Sequence, residues 1–479
     1  MTPRFSLLSE DQKESIYHGM LRTLQYTGVN VHDEEARELL TKHGAKVDGV
    51  KVFIPQNLVK TALTTVPSIT DVFAWDGDDS RTVRIERGRS HYGPGPTPPF
   101  FRDPYTRERR KFMRKDAAIV ARVQDALPNI TYTQCLGTIS DVNDELADVY
   151  EFADSIQNTT KPFMGWAFGV EGLQAQYRMA VTLAGGTDSF EKRPNFISYG
   201  EPISPLVSDS HAIQKCLFCA KHRIPQVYTP CTIGGATGPA THASQLVTAL
   251  SESMVGVTVS QLLNPGTTVI VGGVQSILDM RCSIYSYGAP ELALMSAAQT
   301  EMAHYCGLPM YSTSGCTDAK TMDIQSAFES ALSVNAAMMS GAEFVHDNSY
   351  IESGKCADIC QTVMDDEIIG MATRIKEGIT VNEETLAVDV INNVGPGGHY
   401  LYEDHTMDWF REHYNPTLME RRSYEDWAVD SKTMNQRIVE KTQRLIETHE
   451  GPQAHFPKDV AKEWDRIIQE VEDNHTAAK

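Results

Sequence analysis

From about residue 115 to residue 350 the chain repeats one pattern. A short run of apolar, β-branched or aromatic residues ends in glycine or a polar group, and a stretch of helical spacing follows. The short runs are 130–137, 161–168, 195–202, 225–235, 267–273, 309–315 and the stretch beginning at Phe344. Long helices are predicted over 241–263, 289–306 and 322–339, several of them rich in Ala and Ser, which lets a helix lie close on strands. Parallel strands require crossovers of a dozen residues or more, usually helical, and their strands read as short, continuously apolar runs. The pattern therefore predicts an α/β fold of the TIM (β/α)8 barrel type. Seven runs leave one strand missing; it is expected before Lys115 or after Leu386.

Barrels of this kind carry their sites at the C-terminal ends of the strands. The stretch from Gly341 to Gly354 is the strongest candidate: Phe344 and Val345 run into His346, Asp347, Asn348, Ser349 and Tyr350. Read blandly, it is a turn whose His346 and Asp347 satisfy each other. Other strand ends, however, supply Trp166, Tyr199, Glu201, Tyr228, Tyr311 and Asp318. A single aromatic at such a place is usually core. Rings recurring at successive ends, with carboxylates among them, describe a cage for a quaternary ammonium ion, which cation–π attraction holds where hydrogen bonds cannot. The candidates are thus His346, Glu201 and Asp347 as catalytic residues, and Trp166, Tyr199, Tyr228, Tyr311 and Tyr350 as substrate contacts.

Around the repeating core the pattern changes. Residues 1–67 read as a helical extension, with Ser9 and Gln12 forming a capping box, a second helix over 33–43, a strand pair around 50–54 and a third helix between Pro55 and Pro67. Residues 68–114 hold two strand-like pieces and the Pro/Gly-rich loop from Tyr92 to Phe100, expected to run over the surface or wrap a mouth. The barrel core spans 115–393. Residues 394–479 open with a glycine-rich turn and end in two amphipathic helices, near 430–449 and 458–474.

A net charge of -20 leaves no basic field for nucleic acid. The basic run from Arg107 to Arg114 reads as a solvated helix start. No apolar run suggests a signal peptide or a membrane span, and nine scattered cysteines fit free thiols in a reducing cytoplasm. Cys216 and Cys219 have metal-like spacing but lack a partner pair, so no metal site is expected. Nucleotide-binding glycine signatures, HExxH and the nucleophile elbow are absent. Asp209, Ser210 and His211 open a corrinoid-ligating signature, but Gln214 stands where its glycine belongs.

Three pieces of the sequence carry a resemblance. They are MLRTLQYTGVNVHDEEARELLTKHGAKVDGVKVFIP near the start; GCTDAKTMDIQSAFES with FVHDNSYIESG and MDDEIIG; and GPGGHYLYEDHT followed by NPTLMERRSYEDW. In that order they resemble the trimethylamine methyltransferase family of corrinoid-dependent enzymes. The resemblance implies a TIM barrel that moves a methyl group from an amine to the Co(I) of a separate corrinoid protein. No cofactor would be tightly bound to this chain, cobalamin arriving on the partner, and a homo-oligomer is expected. Gly397, His399 and Tyr400 would face the corrinoid. Trimethylamine-specific members carry pyrrolysine, whereas this chain has only standard residues. It therefore resembles the branch that demethylates quaternary amines such as glycine betaine, proline betaine and carnitine. Betaine-type members would place an arginine after the sixth strand; the segment from Leu308 to Gly315 has none, which leaves the substrate's carboxylate open. A non-catalytic binder of small quaternary ammonium compounds would show the same cage without a partner-dependent product.

Overall fold

The computed structural model describes residues 5–477. Its central feature is a seven-stranded parallel sheet made of β1 (His91–Pro94), β2 (Phe163–Trp166), β3 (Phe196–Gly200), β4 (Gln226–Tyr228), β5 (Val269–Gly272), β6 (Met310–Thr313) and β7 (Phe344–Asn348). In space the order is β1-β7-β6-β5-β4-β3-β2, and every pairing is parallel. The sheet curls strongly, with helices outside. Between its edge strands runs the stretch 130–133, which makes one parallel bridge to each, Tyr92 to Ile130 and Thr133 to Phe163. Six of the seven strand runs legible in the sequence are strands of this sheet, and the seventh is this bridging stretch. The strand that the seven runs left missing is β1, and it lies before Lys115, one of the two places expected for it. Its residues His91, Tyr92, Gly93 and Pro94 look like loop, because glycine and proline are poor strand formers away from an edge.

Side chains alternate across each strand. On β2, Phe163 and Gly165 face the helices while Met164 and Trp166 face inward; on β3, Ile197 and Tyr199 face inward. The inner cluster takes one or two residues from most strands: Met164, Ile197, Val227, Ile270, Tyr311 and Phe344, with Tyr132 from the bridging stretch. Tyr132 stacks on Phe344 at 3.9 Å, and its hydroxyl donates to the Val345 carbonyl at 2.9 Å, so the sheet's interior is packed across its width. The antiparallel pair Thr70–Val72 and Val83–Ile85 adds Val72, Val83 and Ile85 to this cluster.

The N-terminal extension follows its expected course. Ser9 and Gln12 cap the helix Glu10–Arg22 reciprocally, and the chain widens into a π-helical turn, Thr23–Thr27, before Gly28. These helices lie against the helix His242–Leu263. That helix is long and apolar enough to cross a membrane, but 83% of its apolar window is buried, between the sheet and the extension. The close approach is visible at Gly19, where a Cβ would fall 2.9 Å from the Val247 side chain.

The basic run is corrected. Phe100–Arg102 and Arg109–Lys111 form an antiparallel pair, joined in parallel to Cys356–Asp358. Its arginines are tied to acids: Arg107 to Asp358, Arg109 to Glu352 and Arg110 to Asp116. Only with Arg114 does a helix begin, Arg114–Ala126. At the other end, Lys458–Ala477 buries Trp464, whose indole donates to the Met179 carbonyl at 3.0 Å.

Candidate active site

Each candidate side chain is placed by the two-residue repeat of its strand. On β3, Ile197 lies in the apolar layer, Tyr199 one step higher, and Glu201 just past the strand end. On β7, Phe344 is followed two residues later by His346, and register sets Thr313 of β6 beside it. Six residues are brought together here: Trp166, Tyr199, Glu201, Tyr311, His346 and Asp347, with Tyr350 in the same electrostatic neighbourhood.

Tyr311 stacks on His346 with ring centroids 4.0 Å apart and planes 5° from parallel. Tyr199 meets Tyr311 edge-on at 6.3 Å, and its hydroxyl donates to Glu201 Oε2 at 3.0 Å. Both nitrogens of His346 are engaged, Nδ1 with Asp347 Oδ1 at 2.7 Å and Nε2 with Thr313 Oγ1 at 3.1 Å. His346 and Asp347 do satisfy each other, as the bland reading had it, but they do so beside three aromatic rings. His346 is 1% exposed and Tyr311 is fully buried. Glu201, in contrast, reaches solvent, and Trp166 is half-buried. The cluster therefore forms a closely packed recess at the C-terminal ends of the strands, its floor buried and Glu201 on its solvent side. Protein crowding around Glu201 raises its carboxyl above the ordinary range; Asp347 adds to the rise, and Lys215 and His346 oppose it.

The proline-rich loop lies directly on this site. Tyr350 donates its hydroxyl to the Pro96 carbonyl. A Cβ on Gly95 would fall 2.3 Å from Asp347 Oδ1 and 2.4 Å from the Tyr350 ring, so only glycine fits there. Asp347 itself has φ of 69°, a left-handed conformation that a non-glycine residue adopts only under constraint. That constraint includes Asp365 on the helix Ile359–Glu377, which accepts from the Ser349 backbone at 2.9 Å and from Ser330 and Gln361. Burial pushes the Asp365 carboxyl up to about 7.

Four candidates are placed elsewhere. Tyr228 is a correction: it sits on the outward face of β4, its ring against Gly256 and its hydroxyl on Ser208 at 3.0 Å. The last inward residue of that short strand is Val227. Gly397, His399 and Tyr400 lie on an exposed turn, where His399 contacts Tyr402; no contact found for them reaches the recess.

Sequence reading missed Gln134, Tyr285 and Tyr287. Gln134 stands two residues beyond Tyr132 and donates to the Tyr311 hydroxyl at 3.5 Å. Tyr285 and Tyr287 pack at 5.1 Å, and Tyr287 meets Tyr350 at 6.3 Å. Asp318 anchors this wall by accepting from the Tyr287 backbone at 2.8 Å. The signal was the alternation in Ile284, Tyr285, Ser286 and Tyr287, which reads as a strand with two rings on one face. Cys216 and Cys219 are buried thiols on Ser210–His222, pushed up to about 11 and about 12 by burial. A cavity of about 530 Å³ lined by Arg87, Arg89, His91, His304 and Lys376 lies at the other end of the strands, away from these rings.

Residues 1–473 match the family model described as trimethylamine methyltransferase (MTTB). The chain belongs to the trimethylamine methyltransferase family. Among curated members, it is 31% identical to glycine betaine methyltransferase of Desulfitobacterium hafniense strain Y51 over 457 residues, 94% of each chain. It is also 31% identical to trimethylamine methyltransferase MttB of D. hafniense strain DSM 10664 / DCB-2, covering 98% of this chain and 95% of the relative. Among solved structures, the hydroxylamine complex of MtmB matches 94% of this chain and 89% of its own with a TM-score of 0.52 at 11% identity, a likeness of fold. Family membership makes this trimethylamine methyltransferase homologue an enzyme of methyl transfer, as its three sequence pieces implied.

Proposed function

We propose that the chain moves a methyl group from a quaternary amine to a separate corrinoid protein, and that the aromatic recess is its amine site. The observation that carries this reading is the juxtaposition, in a member of this family, of Trp166, Tyr199 and Tyr311 with the carboxylates of Glu201 and Asp347. Ring faces and carboxylates together hold a cation that cannot donate hydrogen bonds. Glu201 and Asp347 balance its charge, while the stacked pair of Tyr311 and His346 gives it a rigid floor. His346, bonded through both nitrogens, holds Asp347 in place and takes no part in proton transfer.

A corrinoid on the partner would supply the nucleophile at the Co(I) level; the methyl group would leave nitrogen without the C–N bonding pair, so that the amine product is a neutral tertiary amine. No proton donor is required of the protein. Its task is to hold the nitrogen low and one methyl toward the mouth, excluding water from the line of attack. The mouth suits a large flat partner: Phe168, Ile203 and Met280, beyond the ends of β2, β3 and β5, expose apolar side chains at its rim. Gly397, His399 and Tyr400 belong to the same partner surface in this reading, the turn standing free to meet it.

The finer architecture is part of the proposal. Counting 130–133 as the eighth strand would close a (β/α)8 barrel, supported by its bridges to both edge strands. A homo-oligomer is supported by the exposed apolar side chains Ile379, Val381, Leu386, Val388, Ile391 and Leu401. The reducing cytoplasm suits the nine free thiols.

The test is incubation with a panel of quaternary amines and a reduced corrinoid protein, followed by absorbance of the methylated corrinoid. Turnover with at least one amine is expected. Trp166→Ala should weaken amine binding by about 0.5–2 kcal/mol, the range of a cation–π contact. Absence of turnover with every amine and with free cob(I)alamin sinks the enzyme reading.

A further inference from the structure

The cavity of about 530 Å³ lies at the N-terminal ends of the strands, opposite the aromatic recess. It sits at a seam of the sheet, between His91 of β1, Thr131 of the bridging stretch and Gly341 just before β7. Arg87, Arg89 and Lys376 line it against a single carboxylate, Glu377, in a chain whose net charge is -20. The buried side chains of Met338 and Met339 close its inner wall. A volume of this size suits an organic ligand.

The carboxylates nearby are engaged by other groups. Glu86 takes Arg84 at 2.9 Å and Arg89 at 2.7 Å. Glu343 takes the His304 imidazole at 2.8 Å and the Met310 backbone N–H at 3.0 Å. Glu377 is largely exposed and faces Arg374 at 3.5 Å. Lys376 donates to Ser90 Oγ at 2.9 Å. Arg87 forms no ion pair among the described residues; one of its nitrogens donates to the His304 carbonyl, and the rest of the fork is open to a ligand. His91 supplies an independent mark. Its Nε2 meets the Arg84 carbonyl at 3.0 Å, which can only accept, so Nε2 carries the hydrogen and Nδ1 a lone pair. Burial lowers the imidazole to about 4, Arg89 and Lys376 adding to the fall, so the ring is neutral. Nδ1 is buried and has no partner among the described residues. An orphaned acceptor on a ring that lines a cavity calls for a donor from that cavity.

We propose that this cavity is a second binding site, for the phosphate ester of a small hydroxylated molecule. Arg87 holds the phosphate, with Arg89 and Lys376 adding positive charge; a dianion answers that excess more fully than a carboxylate. A hydroxyl of the same ligand donates to His91 Nδ1. Both arginines are exposed, so the phosphate is met at the solvent side while the hydroxyl lies inward. The walls come from residues 87–91, 131, 338–341 and 373–377, segments distant in sequence. A ligand here ties them together and stabilises the folded chain in proportion to its occupancy.

Calorimetry and thermal unfolding of the full chain test this with glycerol 3-phosphate, inorganic phosphate, glycerate and glycerol as probes. Glycerol 3-phosphate is expected to bind most tightly and to raise the unfolding midpoint. Inorganic phosphate follows, glycerate binds about tenfold or more weakly than the ester, the scale of one charge-assisted hydrogen bond, and glycerol does not bind. Arg87→Ala, in an exposed turn, should weaken ester binding by about tenfold or more. Arg466→Ala, on the C-terminal helix and outside the cavity, should leave it unchanged. Glycerate binding as tightly as the ester overturns the phosphate assignment, and inorganic phosphate binding as tightly overturns the hydroxyl contact to His91. Absent binding, binding that Arg87→Ala leaves intact, or equal losses in the two variants overturn the site. The readout is binding alone, so neither the presence nor the absence of methyl transfer bears on it.

Discussion

Two layers of the same strands, two residues apart, are built on opposite rules. In the lower layer Met164, Ile197, Val227, Ile270 and Phe344 fill the interior with apolar volume. In the layer above, the same faces present Trp166, Tyr199 and His346, with Glu201 beyond and Gln134 beside them. These lower-layer side chains carry no polar atom, and the Tyr132 hydroxyl packed with them is satisfied by the Val345 carbonyl. The upper layer leaves Gln134 Oε1 and Asp347 Oδ2 without partners and holds Asp347 in a left-handed conformation. Burial without pairing and backbone strain both oppose folding, so the upper layer draws on the stability of the lower. Fold and chemistry are separated by 2 residues along β3, from Ile197 to Tyr199.

The largest expected effect breaks the lower layer. Phe344→Ala removes a fully buried ring stacked on Tyr132 and tilted against Tyr311. It should cost about 3–5 kcal/mol of stability, read as a lower urea midpoint, and it should disturb the upper layer as a consequence. If stability fell by less than about 1 kcal/mol, the layers would be independent.

A smaller effect is expected where the loop meets the upper layer. Gly95→Val drives a side chain into Asp347 and Tyr350. Overpacking of this kind costs about 1–3 kcal/mol, and amine affinity should fall further than stability does. Equal loss of both would mean that the loop merely closes the fold.

A third effect is a pH dependence. Asp365 has its carboxyl raised to about 7 from an unfolded value near 4, so the folded protein binds the extra proton. Its contribution is most favourable below about pH 4, declines as pH rises from about 4 to about 7, and is constant above. Asp365→Asn should abolish that decline, seen as a difference between wild-type and variant denaturation midpoints across the same range. A difference that does not change with pH would refute the assignment. Other buried acids such as Glu252, also raised to about 7, cancel in the comparison.

Much of this was legible before any coordinates. The alternation of short apolar runs and long helices is a local property, and so are the capping box at Ser9 and the helix boundaries near 242–263, 290–305 and 324–340. Glycine at 95 and the aromatic strand ends could also be read. β1 could be read only as a strand missing before Lys115 or after Leu386, because Gly93 and Pro94 disfavour a strand locally and mask the preference of Tyr92. The four residues of β1 become a strand because Phe344 and Val345 offer a parallel edge to pair with. The run from Arg107 to Lys111 failed for a related reason: the acids that turn a basic run into a paired hairpin lie up to 251 residues away in sequence.

The sequence by itself determined the family, the parallel α/β class and most of the residues that face the recess, since period-two patterns and strand-end chemistry are carried by neighbours along the chain. Tertiary structure alone decided which face Tyr228 takes, which residues Tyr285 and Tyr287 join, and the balance of charge among Glu201, Asp347 and the committed arginines. The physical reason is the same in each case. Orientation, pairing and unspent hydrogen-bond capacity are set by contacts between strands and loops distant in sequence, and no single segment contains them.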